Sequence, residues 1–249
     1  KTAPTDTLIK MAVGEMREYT PYINALKHGQ YESLEKKIGG DKKIIEGFKR
    51  LHLSDLPSAS YIFFMNLFQR YASEGKYDDF AYDILDYMEK YFMRRYLVGV
   101  AATGVDTLFK NLYRRLELEK PENRKISRLH KEIINTQNAQ TYPSDDEIKT
   151  KLPELVAYST KNAKKCKFFL YNYEQFMREQ QPHKVPDSIS YDWMKEVEID
   201  HIFPQSAIDK LNEPANKYWK ENSWKEDSLV NQIGNLVLIK SRPNKIKND

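Results

Sequence analysis

Apolar residues recur at three- and four-residue steps along most of the first 190 or so positions of this chain. In YDDFAYDILDYMEKYF, Phe80, Ile84, Tyr87, Met88, Tyr91 and Phe92 fall on one face of a predicted amphipathic helix. Val105, Leu108, Phe109, Leu112 and Leu116 repeat the pattern, and another helix is predicted through Phe168, Phe169, Leu170, Tyr173, Phe176 and Met177. In YPSDDEIKTKL, Ser144 stands three residues before Glu147, the reciprocal capping pair that starts a helix. The two prolines of QQPHKVPDSIS, residues 180–190, disfavour helix and mark a boundary near 185/186. Beyond it the period changes from helical to two. KEVEIDHI alternates Val197 and Ile199 with Glu198 and Asp200, and IGNLVLIK is a second short apolar run entered through Gly234 and Asn235. Pro243 suits a first helical turn, so a helix is expected to begin near Asn244. The expectation is a mainly α chain: a helical domain over 1–185, then a small α+β domain over 186–249.

Composition narrows this only a little. A chain of 249 residues can bury two cores. Glycine is scarce and tyrosine abundant, and the ordinary role of so many rings on helices is core packing. The single cysteine, Cys166, excludes an internal disulfide framework and any multi-cysteine zinc site, which fits a reducing compartment such as the cytoplasm. The longest apolar cluster, YIFFMNLF, is far too short to span a bilayer, so no membrane partner is expected. Because the chain opens on Lys1 and stops in NKIKND, it is expected to come from a longer polypeptide.

EIDHIFPQS, residues 198–206, is where chemistry enters. Successive strand side chains point to opposite faces, so Asp200 and His201 can address one substrate atom only if the strand ends there. Pro204 cannot donate to a ladder and supports such an ending. An imidazole is a suitable general base near neutral pH, and a carboxylate is a hard ligand for a divalent cation. A lone Asp-His pair is ordinarily only a polar strand end. Asn235 at a Gly-Asn turn and Asn244 behind a proline add weight, although each alone is common in turns and caps.

IDHIFPQS followed by NQIGNLVLIKSRPNK resembles the HNH, or ββα-metal, nuclease motif. The first stretch is similar to that of the HNH domain in CRISPR-associated RNA-guided nucleases. The whole C-terminal segment, with its Gly-Asn-Leu-x-Leu second strand, is more like GmrSD-type modification-dependent restriction proteins. YFMRRYLVG and LFKNLYRRL resemble the helical region that precedes the nuclease in those proteins. The resemblance implies that His201 is the general base, Asp200 and Asn244 ligate the metal, and Asn235 ties the loop between the strands and holds His201 in place. With oxygen ligands alone the ion would be Mg²⁺ or Mn²⁺. Many family members carry Glu before the histidine, and either carboxylate can ligate. The motif's helix normally runs further past Asn244 than the five residues present here. The insertion between the motif halves carries Trp219 and Trp224, whose ordinary role would be to cover so small a sheet.

Charge gives the nuclease segment no basic clamp. Residues 191–249 hold 9 Lys plus Arg against 10 Asp plus Glu, whereas residues 90–131 hold 11 against 4. Phosphate contacts are therefore expected from Arg94, Arg95, Arg114, Arg115, Arg124 and Arg128 of the helical domain, with Lys245 and Lys247 beside the site, although many such cations are simply solvated. The resemblance implies a metal-dependent endonuclease that nicks DNA in antiviral defence, joined to a nucleotide-hydrolysing N-terminal domain of the same polypeptide. The competing reading is an inactive HNH-fold module that binds DNA or protein. RNA is a weaker alternative substrate.

Overall fold

The computed structural model describes residues 6–100, 104–134, 142–180, 189–205 and 227–241. They are mainly helical, with one two-stranded sheet near the C-terminal end. The helices are α1 (Asp6–Ile23), α2 (Glu32–Lys37), α3 (Lys42–Leu53), α4 (Tyr61–Glu74), α5 (Asp79–Leu97), α6 (Val105–Arg115), α7 (Ile126–Ile134), α8 (Asp145–Lys151), α9 (Ala163–Gln180), α10 (Trp193–Glu196) and α11 (Asp227–Val230). The strands are β1 (Val197–His201) and β2 (Leu236–Lys240). No helix among the described residues is long and apolar enough to cross a membrane.

The chain divides into two compact units, residues 1–95 with 100–143, and residues 96–99 with 144–249. The first is built on the amphipathic faces of α3 to α7. Phe80, Ile84, Met88, Tyr91 and Phe92 of α5 are buried, as are Val105, Leu108, Phe109 and Leu112 of α6. Aromatic rings join these helices edge to face: Phe48 meets Phe68 with centroids 5.0 Å apart, and Phe63 meets Phe109 at 5.8 Å. Such pairs add directional attraction to the area that the rings bury. Asp41 caps α3 by accepting from the Ile44 amide at 3.0 Å. Gly75 ends α4 in the left-handed conformation (φ 67°) that a residue with a Cβ enters only at a penalty.

The second unit places the sheet. Its division from the first falls at Pro143–Ser144. The reason is packing. α9 lies against both strands and α10, so it shares their core rather than that of the preceding helices. Tyr171 Oη and Gln175 Nε2 both donate to the Ile189 carbonyl, at 2.6 and 2.7 Å, and the Ile189 amide returns a bond to Gln175 Oε1 at 3.1 Å. These bonds fasten the approach to β1 onto α9. The buried face of α9 is also not the one its apolar spacing suggests. Cys166, Phe168, Leu170 and Tyr171 are buried, while Tyr173 and Phe176 are each 54% exposed. At the start of this unit Ser144 and Glu147 form the expected capping box.

Candidate functional site

β1 and β2 run antiparallel, with Asp200 opposite Val237 and His201 opposite Leu236. His201 is the last residue of β1, and Pro204 follows shortly after the ending. The two side chains leave the strand on opposite faces, with Val197, Ile199 and His201 on one and Glu198 and Asp200 on the other. His201 is buried and Asp200 half-buried. On the Asp200 face, Lys167 of α9 is close enough to feel Glu198. Partial burial lowers its ammonium below the usual lysine range, and Glu198 opposes that shift.

The turn leading into β2 carries Asn235, which is 5% exposed. Its amide makes a closed set of bonds. Asn235 Oδ1 accepts from the Phe203 amide at 2.7 Å, and Nδ2 donates to the carbonyls of Phe203 at 3.0 Å and Val230 at 2.8 Å. The Asn235 carbonyl also accepts from the Ile202 amide at 2.9 Å. One residue thus continues the ladder two positions past the end of β1, where no strand partner remains. Asn235 holds the main chain just after His201 and not the imidazole itself.

The side chain that meets the imidazole is Asn231, whose Oδ1 lies 3.0 Å from His201 Nε2. Gln205 Nε2 donates to the same oxygen at 2.9 Å. The Asn231 carbonyl accepts from the amides of Ala157 and Tyr158, at 2.9 and 3.1 Å. That places the Tyr158 ring against the imidazole, 5.2 Å between centroids and 88° between planes. Tyr96 Oη fixes the same extended segment by donating to the Ala157 carbonyl at 2.8 Å.

Asn231 and Gln205 lie inside the two motif stretches, yet spacing alone does not reveal which asparagine reaches the histidine. Tyr158 lies far upstream and carries no sequence signal. Asn244, Lys245, Lys247, Trp219 and Trp224 lie outside the described residues. The arginines expected to bind phosphate separate into different environments, all in the first unit. Arg95 is 3% exposed, with its guanidinium over the Tyr91 ring, so it has no surface to offer a phosphate. Arg94 donates to the Pro143 carbonyl at 2.7 Å and lies over Tyr142. Arg115 pairs with Glu132, Arg124 is buried, and Arg114 is exposed.

Residues 142–249 match the family model for GmrSD restriction endonucleases, C-terminal domain. This segment is similar to GmrSD-type C-terminal domains. The match begins at Tyr142, two residues before the second unit resumes at Ser144, so the family segment coincides with most of one compact unit. No curated protein and no solved structure matches the chain. The match suggests a restriction-endonuclease module in residues 142–249, and the pair β1–β2 with the Asn235 turn is its candidate site.

Proposed function

We propose that the GmrSD-type domain is a metal-dependent HNH endonuclease that hydrolyses DNA phosphodiesters one strand at a time. The observation that carries this reading is a histidine at a strand terminus, with its ring nitrogen engaged by Asn231 and its following loop closed by Asn235, inside a restriction-endonuclease segment. His201 would take the proton of the attacking water as its oxygen bonds to phosphorus, and the P–O bond to the leaving oxygen would break.

The donor set suits a hard cation. The motif's donors are oxygen: the half-buried Asp200 carboxylate at the end of β1 and the Asn244 amide. Asp200, with Asn244, would hold Mg²⁺ or Mn²⁺. When bound, the ion would polarise the phosphate and offset charge on the leaving oxygen. Lys245 and Lys247 follow Asn244 closely and would contact the neighbouring phosphates.

The test is conversion of supercoiled plasmid to the open circle. The parent protein with Mg²⁺ or Mn²⁺ is expected to nick, EDTA to stop it, and His201→Ala to lower the rate by about 10²–10⁴ while the circular dichroism spectrum stays that of the parent. A His201→Ala protein as fast as the parent refutes the base assignment. Metal-independent retardation of DNA without cleavage identifies an inactive binding module instead.

A further inference from the structure

We infer that Asn231 is the positioning residue of the site: its side-chain oxygen selects the tautomer of His201 and leaves Nδ1 as the proton-accepting nitrogen. This deepens the nuclease reading and rests on it for its catalytic consequence, although the tautomer itself can be observed without any cleavage.

Two nitrogens converge on one oxygen. His201 Nε2 and Gln205 Nε2 lie 3.0 and 2.9 Å from Asn231 Oδ1. A carbonyl oxygen has two lone pairs and can accept both bonds. The Gln205 amide nitrogen can only donate, so it fixes the Asn231 amide with its oxygen toward the pair. That oxygen can only accept, so the neutral imidazole must carry its proton on Nε2. The remaining lone pair of the ring is then on Nδ1, which becomes the proton-accepting nitrogen. The opposite tautomer would set a bare ring nitrogen against a carbonyl oxygen.

The asparagine is itself held by its main chain. Its carbonyl accepts from the Ala157 and Tyr158 amides, and α11 ends immediately before it at Val230, whose carbonyl accepts from the Asn235 side-chain amide. The Tyr158 ring, edge to face with the imidazole, also restricts its rotation. None of these restraints uses the Asn231 side chain, so replacing that side chain leaves them in place. Asn231 acts through His201 and not on substrate.

The experiment uses the whole chain labelled with ¹⁵N at histidine. The His201 resonances are assigned by comparison with His201→Gln, among five histidines in the sequence. At a pH where neutral imidazole predominates, the parent is expected to show Nε2 protonated and Nδ1 bare. Asn231→Ala is expected to give a mixture of tautomers, and Asn231→Asp, which retains an oxygen acceptor, to restore the parent pattern. Gln205→Leu is the second variant. It leaves the Asn231 side chain present but no longer held, and is expected to produce a measurable Nδ1-protonated population. In nicking assays Asn231→Ala is expected to lower kcat about 10- to 100-fold with KM for plasmid unchanged, the usual scale for a group that orients another's ring.

A parent ring protonated at Nδ1 overturns the inference, as does a tautomer unchanged in both Asn231→Ala and Gln205→Leu. The expected tautomer shifts in a parent protein that does not nick would support the positioning of His201 and overturn the nuclease reading, so the two failures are distinguishable.

Discussion

Arg124 belongs to the basic stretch that charge counting assigns to DNA, yet its side chain is taken up inside the first unit. Its guanidinium grips Glu74 with two bonds of 2.7 Å, donates to the Leu118 carbonyl at 2.9 Å and lies 4.5 Å over the Tyr71 ring. The hydrogen bond from Arg124 holds the Glu74 carboxyl below the usual carboxylate range against the opposing effect of burial. Arg124→Met would leave that carboxylate with Arg70 alone, 2.8 Å away, and a loss of about 1–3 kcal/mol at neutral pH is expected in urea unfolding. Because the folded-state value is depressed, the pairing contributes above the unfolded carboxylate pKa of about 4 and fades as pH falls through the folded value. The stability gap between parent and variant should therefore narrow in acid; a gap constant to a pH of about 2.5 would refute the pairing. Cys166 offers a second residue-scale check. It is fully buried, and burial pushes its thiol up to about 11, partly offset by the Tyr96 hydroxyl. At a pH of about 8 only about a thousandth of it would be thiolate, so a disulfide reagent should label it only as the second unit unfolds. Nothing in the sequence distinguishes Arg124 from Arg114, since burial is a property of the fold. In the same way, that Asn231 and not Asn235 meets the imidazole depends on how the turn before β2 folds.

Between α3 and α5 the approach is set by a missing side chain. A Cβ placed on Gly47 would lie 2.4 Å from Leu85 Cδ1 and 2.9 Å from Leu85 Cβ. A rotamer change could move the first atom but not the second, so the helices must separate. Gly47→Ala improves helix propensity by about 1 kcal/mol, and overpacking opposes it by about 1–3 kcal/mol. A net loss of up to about 2 kcal/mol is expected, read as a lower thermal midpoint; a midpoint raised by the full propensity gain would show that the two helices relax freely around the added methyl. The helices themselves were legible, because α5 and α6 bury the positions that their three- and four-residue spacing selects. The capping pair at Ser144 and Glu147 was legible for a local reason, as both bonds form within one turn. α9 was less so: it carries apolar residues on more than one face, and only the position of the strands decides that Cys166 and Leu170 are inside and Phe176 outside. Pro182 and Pro186, which suggested a break in helix, lie outside the described residues. The boundary between compact units depends on which helices share a core.

On the scale of the whole molecule, charge and chemistry occupy different parts of the chain. The segment carrying β1, the Asn235 turn and β2 has slightly more acidic than basic residues, while residues 90–131 carry 11 basic against 4 acidic. Within that basic stretch Arg95 and Arg124 are buried, Arg115 pairs with Glu132, and Lys120 pairs with Glu117. Lys110, Arg114, Lys125 and Lys131 are exposed on or beside α6 and α7. If DNA is the substrate, phosphate neutralisation by these side chains supplies affinity without touching the reacting phosphorus. The double variant Lys110→Ala with Arg114→Ala should then weaken binding to any duplex sequence about equally. It should also flatten the dependence of log affinity on log salt by about 0.9 for each phosphate no longer neutralised, and leave the nicking rate at saturating DNA at the parent value. His201→Ala should do the reverse, retaining the salt slope and losing the rate. A double variant with the parent's salt slope would remove α6 from the DNA-binding surface and leave phosphate binding to the segment around Lys245 and Lys247.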